Sequence, residues 1–316
     1  MMRVLGFDIG GTKCAVITAE VNGSDITLLK KEVLPTDHEI GAYQMIEKLI
    51  ATADAVLDTP PERVGISCGG PLDSTRGVIM SPPNLPGWDN IEIVDRIEKH
   101  YGVPTKLQND ANACALAEWK FGAGIGCKNM VFMTFGTGLG AGLILNGQLY
   151  EGTNGNAGEV GHVRLANEGP IGYRKVGSFE GFCSGGGIAQ LGYREALKST
   201  SRGECPLYFE EGMTEKDVTA KSVALAAEKG DRTALRVYRI SGEHLGRGLS
   251  LLIDILNPEK IVIGSIFARC GHLMIEAMKR EIEKEALDIA AECCEVVPAR
   301  LSENIGDYAA IATAIT

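Results

Sequence analysis

The sequence contains no run of about 18 apolar residues, so no segment reads as a membrane span. It contains no CxxC pair: nine cysteines are scattered singly, apart from the neighbours Cys293 and Cys294. An odd number of cysteines without framework spacing is expected to be reduced, buried thiols in a cytoplasmic protein rather than disulfides. Basic charge is also scarce. Lys and Arg total 31 against 41 Asp and Glu, a net charge of -10. That balance argues against a nucleic-acid polyanion as the main partner. It leaves room for a nucleotide, which needs only a local cluster of donors. The apolar N-terminal stretch is broken by Asp8 and Lys13 and carries no small-residue cleavage site, so no secretory signal is expected. No flexible linker is visible, and the 316 residues suffice for a two-lobed body with short hinges.

What the chain does have is alternating β-rich and helical patterns, punctuated by glycine. "RVLGFDIG", "KCAVITAEV" and "DITLLKKEVL" read as three strands, the last two joined by the hairpin signal Asn22–Gly23. A helix is expected over Ala42–Leu57. "RVGISCGG" is a strand, "IEIVDRIEKHYG" an amphipathic helix ending at Gly102, and "VPTKLQ" a short strand. "NDANACALAEWKFGAG" begins on capping residues and ends on glycines, as a helix does. "NMVFMTFGTGLGAGLILNGQLYEG" then repeats the opening order of strand, glycine turn, strand, Asn-Gly turn and strand, which suggests two similar halves. From Gly152 the text is glycine-rich and irregular, as functional loops are. Helices are expected over about Ile188–Ser199, Ala220–Lys229 and Asp231–Leu256, then a strand in "NPEKIVIGS", a helix in "HLMIEAMKREIEKEA", a strand in "CEVVPARL" and a final helix in "DYAAIATAIT". The class is α/β.

Two glycine turns invite nucleotide readings. A Walker loop needs GxxxxGK[ST] leading into a helix. In "DIGGTK" the lysine is displaced by one and a strand follows. "GTGLGA" fits the loose dinucleotide pattern but also leads into a hairpin. The remaining reading uses the turns themselves. Glycines let backbone N–H groups crowd a tight bend and approach an anion without Cβ obstruction. Thr12 and Thr137 add hydroxyls, Lys13 adds charge, and Asp8 stands where it could hold Mg²⁺ directly or through water. The plain alternative is that both are ordinary hairpin turns.

"QNDANA" places Asn109, Asp110 and Asn112 where a strand gives way to a helix. Asp and Asn are preferred N-caps, so a purely structural role competes with a chemical one. The chemical one is general base: phosphoryl transfer needs a carboxylate to accept the proton of the attacking hydroxyl. The helix dipole is expected to keep that carboxylate ionised. Asn84, Asn109, Glu159, His162 and Glu180 sit in loop or glycine-rich settings and offer the planar polar groups that bind polyols. His162 by itself reads equally as a satisfied structural histidine.

Taken together, "FDIGGTK", "NDANACALAE", "FGTGLGAGLILNGQLYEGTNGNAGEVGH" and "NPEKIVIG" resemble the motifs of the ROK family of bacterial sugar kinases, open reading frames and repressors. The likeness runs from about Val4 to Ala312. It implies an actin-like ATPase (ribonuclease-H-like) α/β fold, with two lobes and a ligand cleft between them. The lobes are expected at residues 1–110 with the C-terminal helix 302–316, and at 111–301. The resemblance implies ATP and Mg²⁺ as cofactors, with Mg²⁺ held at Asp8 through water. It implies ATP contacts at Asp8, Gly10, Gly11, Thr12, Lys13, Thr134, Gly136, Thr137, Gly138 and Gly264. It makes Asp110 the catalytic base, places a hexose on Asn84, Asn109, Glu159, His162 and Glu180, and suggests a homodimer.

Two departures from the family pattern matter. Many members bind zinc through the GH histidine and a CxCGxxGC segment. Here the three cysteine positions hold Ile171, Tyr173 and Ser178, and Cys183 lies beyond Glu180. Structural zinc needs four N or S ligands, so no zinc site is expected, and Tyr173 and Phe179 are expected to brace the loop instead. The second departure is "GSIFAR" at Gly264–Arg269, where many members have a glycine pair near the adenosine. The expected activity is ATP-dependent phosphorylation of a hexose, glucose first. A catalytically silent sugar sensor of the same fold is the alternative. A repressor of the family would carry a winged-helix domain ahead of the first phosphate motif; with that motif at Asp8, a repressor is not expected.

Overall fold

The computed structural model describes residues 1–316, apart from the side chain of Glu303. The chain folds as two compact units, Met1–Lys128 with Gly142–Ala157 and Arg300–Thr316, and Asn129–Ala141 with Gly158–Ala299. The expected boundary at residue 110 is not where the chain divides: the helix Asp110–Phe121 packs with the first unit. The reason is the C-terminal helix Ile305–Ile315, an alanine-rich element that packs against it and against the first sheet.

In the first unit, Met2–Ile9 pairs antiparallel with Lys13–Asn22, which pairs antiparallel with Asp25–Pro35. On its other side Met2–Ile9 runs parallel to Arg63–Cys68, and that strand runs parallel to Thr105–Asn109. Numbered by position in the chain, the order is 3-2-1-4-5. The alternation of the pleat sorts the faces. Leu5, Phe7 and Ile9 join the core under the helix Ala42–Val56. Gly6 and Gly65 turn to the other face and meet Ile305–Ile315. A Cβ on Gly65 would lie 2.0 Å from the Ala310 carbonyl oxygen, so only glycine admits the helix this close. Buried Glu118 ties the far end of Asp110–Phe121: its two oxygens accept the N–H groups of Leu301 and Ala123 at 2.8 and 2.7 Å.

The second unit is built on three parallel strands, with Lys260–Ile263 between Met130–Phe135 and Glu295–Pro298. Its longest helix, Arg232–Leu256, starts on Asp231, whose carboxylate accepts the Ala234 N–H at 2.8 Å. It stops at Asn257 in the left-handed region, as a helix C-terminus commonly does. Gly242 and Gly246 on this helix press against Met274 and Met278 at and within the helix Ile275–Glu285.

The helix expected from Ile188 begins three residues earlier, at Gly185. Ser184 caps it, accepting the Gly187 N–H at 3.0 Å. A Cβ at Gly187 would fall 1.9 Å from the Gly181 carbonyl oxygen, so close packing rather than helix propensity put glycine there. A short helix, Ile266–Cys270, also forms where only a turn was expected. All nine cysteines are free thiols. Among the described residues no helix is long and apolar enough to cross a membrane.

Candidate functional site

The first glycine turn joins two antiparallel strands, Met2–Ile9 and Lys13–Asn22, which rules out the strand-to-helix geometry of a Walker loop. The turn is pinned from outside. Gly10 N–H donates to the Lys13 carbonyl at 3.1 Å, Thr36 N–H to the Thr12 carbonyl at 3.0 Å and Thr36 Oγ1 to the Gly10 carbonyl at 2.6 Å. His38 Nε2 bonds the Gly11 carbonyl at 2.7 Å. Gly11 abuts Asn84: a Cβ there would lie 2.4 Å from the Asn84 carbonyl oxygen. The Asn84 side chain borders Gly69, and the Asn109 side chain borders Gly70. Gly10, Gly11, Asn84, Asn109 and Asp110 therefore belong to one neighbourhood of the first unit.

Asp8 lies on the sheet face covered by Ile305–Ile315, with Oδ2 against Gly306. Burial, then the nearby carboxylates of Asp307 and Asp110, push its pKa up to about 6, against the opposing pull of Lys31 and Lys13. Lys31 Nζ bonds Asp307 Oδ2 at 2.7 Å. The charge of this neighbourhood is thus acidic and only partly compensated. Oxygen donors with surplus negative charge suit a hard divalent cation. Among the described residues, however, no group of three or more His, Cys, Asp or Glu converges as a complete metal cage.

Asn109, not Asp110, is the N-cap of the helix Asp110–Phe121. Asn109 Oδ1 and Asp110 Oδ1 share the Ala111 N–H, at 3.0 and 2.8 Å. Burial raises the Asp110 pKa and outweighs the hydrogen bonds that lower it. Desolvation thus opposes the helix dipole at this position. A carboxylate with a raised pKa is the better proton acceptor.

In the second unit the turn Gly136–Gly138 joins Met130–Phe135 to the strand that starts at Leu139, so the dinucleotide reading fails as well. Gly136 N–H donates to the Gly138 carbonyl at 3.1 Å, and the Gly136 carbonyl accepts the Gly185 N–H at 2.8 Å. Thr134 faces its own hairpin: its hydroxyl accepts the Gly140 N–H at 3.0 Å. Glu180 Oε2 accepts the Leu139 N–H at 3.1 Å and lies against Gly138. Gly136 and Thr137 border a cavity of about 840 Å³, lined further by Gly185, Lys221, Glu228, Tyr238, Ser265 and Arg269 among others. Ser265 stands where the family often has a second glycine. It takes φ 54° and ψ -114°, a region that favours glycine. Gly264 precedes it, bonded to the Met133 carbonyl at 2.9 Å.

Glu159 precedes and His162 ends a single helical turn, Val160–His162, and His162 is exposed. The loop around them is held mainly by polar contacts. Lys175 Nζ donates to the His162 carbonyl at 2.7 Å, and Arg164 Nη1 to the Val176 carbonyl at 2.6 Å. Gln190 bonds both the N–H and the carbonyl of Ile171 at 2.9 Å. Buried Ser178 caps the short helix Phe179–Phe182, accepting the Gly181 N–H at 3.1 Å. Phe179 is a brace as expected, fully buried against Gly248. Tyr173 is 76% exposed, at the tip of the hairpin formed by Ile171–Gly172 and Lys175–Val176, but its ring meets the His162 ring edge-on with centroids 6.0 Å apart. Positive φ at Tyr173 and Arg174 makes the turn.

Four residues of the first unit's site escaped the sequence reading. Asp307 and Lys31 lie 276 residues apart, and Gln108 with Glu151 couples a strand end to a distant hairpin. The only signal for Asp307 was an acidic residue in a helix first turn, which capping explains equally well.

The strand order and the two glycine hairpins define an α/β fold of the actin-like ATPase (ribonuclease-H-like) class. The ROK family model matches residues 4–316, and the chain belongs to the ROK family. The glucokinase of Halalkalibacterium halodurans is 32% identical over 311 residues, covering 96% of this chain and 92% of that protein. The glucokinase of Thermotoga maritima is 32% identical over 312 residues, covering 96% and 95%. The crystal structure of a ROK glucokinase from Streptomyces griseus in complex with glucose and AMPPNP has a TM-score of 0.76 at 27% identity and covers 99% of both chains.

Proposed function

We propose that this protein is a sugar kinase that transfers the γ-phosphoryl group of ATP to a hexose hydroxyl, with glucose the first candidate. The observation that carries the mechanism is the carboxylate of Asp110, accessible to solvent at the first turn of its helix and raised in pKa by desolvation. The relatives' glucokinase activity supports the substrate class. Asp110 accepts the proton of the attacking hydroxyl as the new O–P bond forms. The bond from the γ-phosphorus to the bridging oxygen breaks, and ADP leaves.

Within the first unit, Asn84 and Asn109 hold sugar hydroxyls beside Asp110, and the hairpin Gly10–Lys13 offers phosphate donors. Within the second, the cavity next to Gly136–Gly138 and Gly264 takes the nucleoside, and Glu159, His162 and Glu180 supply polar groups for the sugar. Glu180 has a further duty, since its bond to Leu139 fixes the hairpin. Phosphoryl transfer has little covalent chemistry for the protein to perform, so positioning and charge stabilisation dominate. Asp8 would hold Mg²⁺, with water completing the shell, and the ion would supply charge neutralisation at the phosphates. The protein is proposed to act in the cytoplasm as a homodimer, which analytical ultracentrifugation tests.

An ADP-release assay over a panel of hexoses tests the activity. Asp110→Asn should lower kcat by roughly 10²–10⁴-fold, while calorimetry shows hexose binding retained. Turnover in Asp110→Asn equal to wild type would remove the base assignment. Absence of turnover on every hexose would favour the silent sensor.

A further inference from the structure

Gln108 lies one residue before the N-cap of the helix that carries Asp110 and is 6% exposed. Its side-chain amide is bonded at both ends. Oε1 accepts the Asn109 N–H at 2.8 Å and Asn112 Nδ2 at 3.2 Å. Nε2 donates to Glu151 Oε1 at 3.0 Å, and the same carboxylate oxygen accepts Ser74 Oγ at 2.6 Å. The Asn109 N–H can only donate, so the amide oxygen must face it and the NH₂ must face Glu151. A carboxylate at position 108 would meet Glu151 charge to charge. Every member of the network belongs to the first unit.

The bonded partners bracket the base. Asn109 precedes Asp110 and Asn112 follows it by two, while Asp110 Oδ1 is itself tied to the Ala111 N–H. The first helical turn and the carboxylate therefore move together. We propose that Gln108, oriented by Glu151, is a positioning residue for Asp110: it sets the first turn of the base helix without touching substrate. The inference rests on the reading of Asp110 as the base. Glu151 sits just after the hairpin strand Gln148–Tyr150, so the network also ties that hairpin to the helix start.

The test is a kinetic double-mutant cycle. Gln108→Leu removes all three bonds while keeping bulk, and should lower kcat roughly ten- to a hundredfold with KM for ATP near wild type. Gln108→Glu alone should be equally impaired, because it sets two carboxylates against each other. Adding Glu151→Gln to Gln108→Glu reverses the polarity of the pair. The new carboxylate then accepts from Asn109, from Asn112 and from the new amide at 151, and kcat should return to within about threefold of wild type. A role in folding alone would not give that kcat-specific rescue.

Wild-type kcat in Gln108→Leu, or a double variant as slow as Gln108→Glu, overturns the proposal. Asp110→Asn is run alongside. If it is inactive while Gln108→Leu is fully active, only the positioning claim falls. If Asp110→Asn keeps wild-type turnover, the base reading falls and takes the positioning claim with it.

Discussion

Replacing Asp8 by asparagine should make the ligand-free protein more stable. Burial and the carboxylates of Asp307 and Asp110 raise the Asp8 pKa from the ordinary 3.8 to about 6. At about 1.4 kcal/mol per pH unit, keeping Asp8 ionised costs the fold about 3 kcal/mol. The sign follows from linkage. An acid whose pKa is higher folded than unfolded binds more protons folded, so stability falls as pH rises from about 4 through about 6 and is flat above. Asparagine resembles the protonated form and carries no such cost. Asp8→Asn should therefore match wild type near pH 3.5 and exceed it by up to about 3 kcal/mol at pH 8. For a unit of this size that is roughly 6–12 °C in Tm. Urea titrations of both proteins across this pH range measure the difference. Mg-ATP should close the gap by stabilising wild type more, and the variant's kcat should fall. A variant no more stable than wild type at pH 8, or an advantage independent of pH, would refute the reasoning.

Ser265→Gly should stabilise the protein by about 1 kcal/mol or more, because Ser265 occupies a backbone region whose strain costs of order 1–3 kcal/mol in a residue with a side chain; thermal denaturation reads it, and a lower Tm would contradict it. Gly65→Ala should destabilise by about 3 kcal/mol or more, since the added methyl would lie 2.0 Å from backbone oxygen and must displace the C-terminal helix. Hydrogen exchange in Ile305–Ile315 should rise first, and a wild-type urea midpoint would rule out this packing argument.

Much of the architecture was legible because it is written in local pattern. The strand that follows "DIGGTK" shows in its β-branched residues, and those residues separate this turn from a Walker loop without coordinates. Asn22–Gly23 and Asn146–Gly147 announced hairpins, and both turns fall between paired strands. Gly102 and Asn257 ended helices in the left-handed conformation, as residues with little steric penalty there do. Where glycine served packing, the pattern misled. Gly185–Gly187 reads as a loop but opens a helix, because the neighbouring chain at Gly181 leaves no room for a side chain.

The candidate site divides along the same line. Asp8, Asn109 and Asp110 could be chosen from sequence, since residue type and turn context are local properties. Their chemistry could not. Whether Asp110 is a weak or an adequate base depends on how far its surroundings desolvate it against the local hydrogen bonds that lower its pKa, and that balance exists only in the folded chain. The pairing of Lys31 with Asp307, the hold of Glu180 on Leu139 and the Gln108–Glu151 bond are likewise made only when the chain closes on itself. Short-range order is set by each residue's own backbone preferences and hydrogen-bonding groups; desolvation and proximity belong to the folded whole.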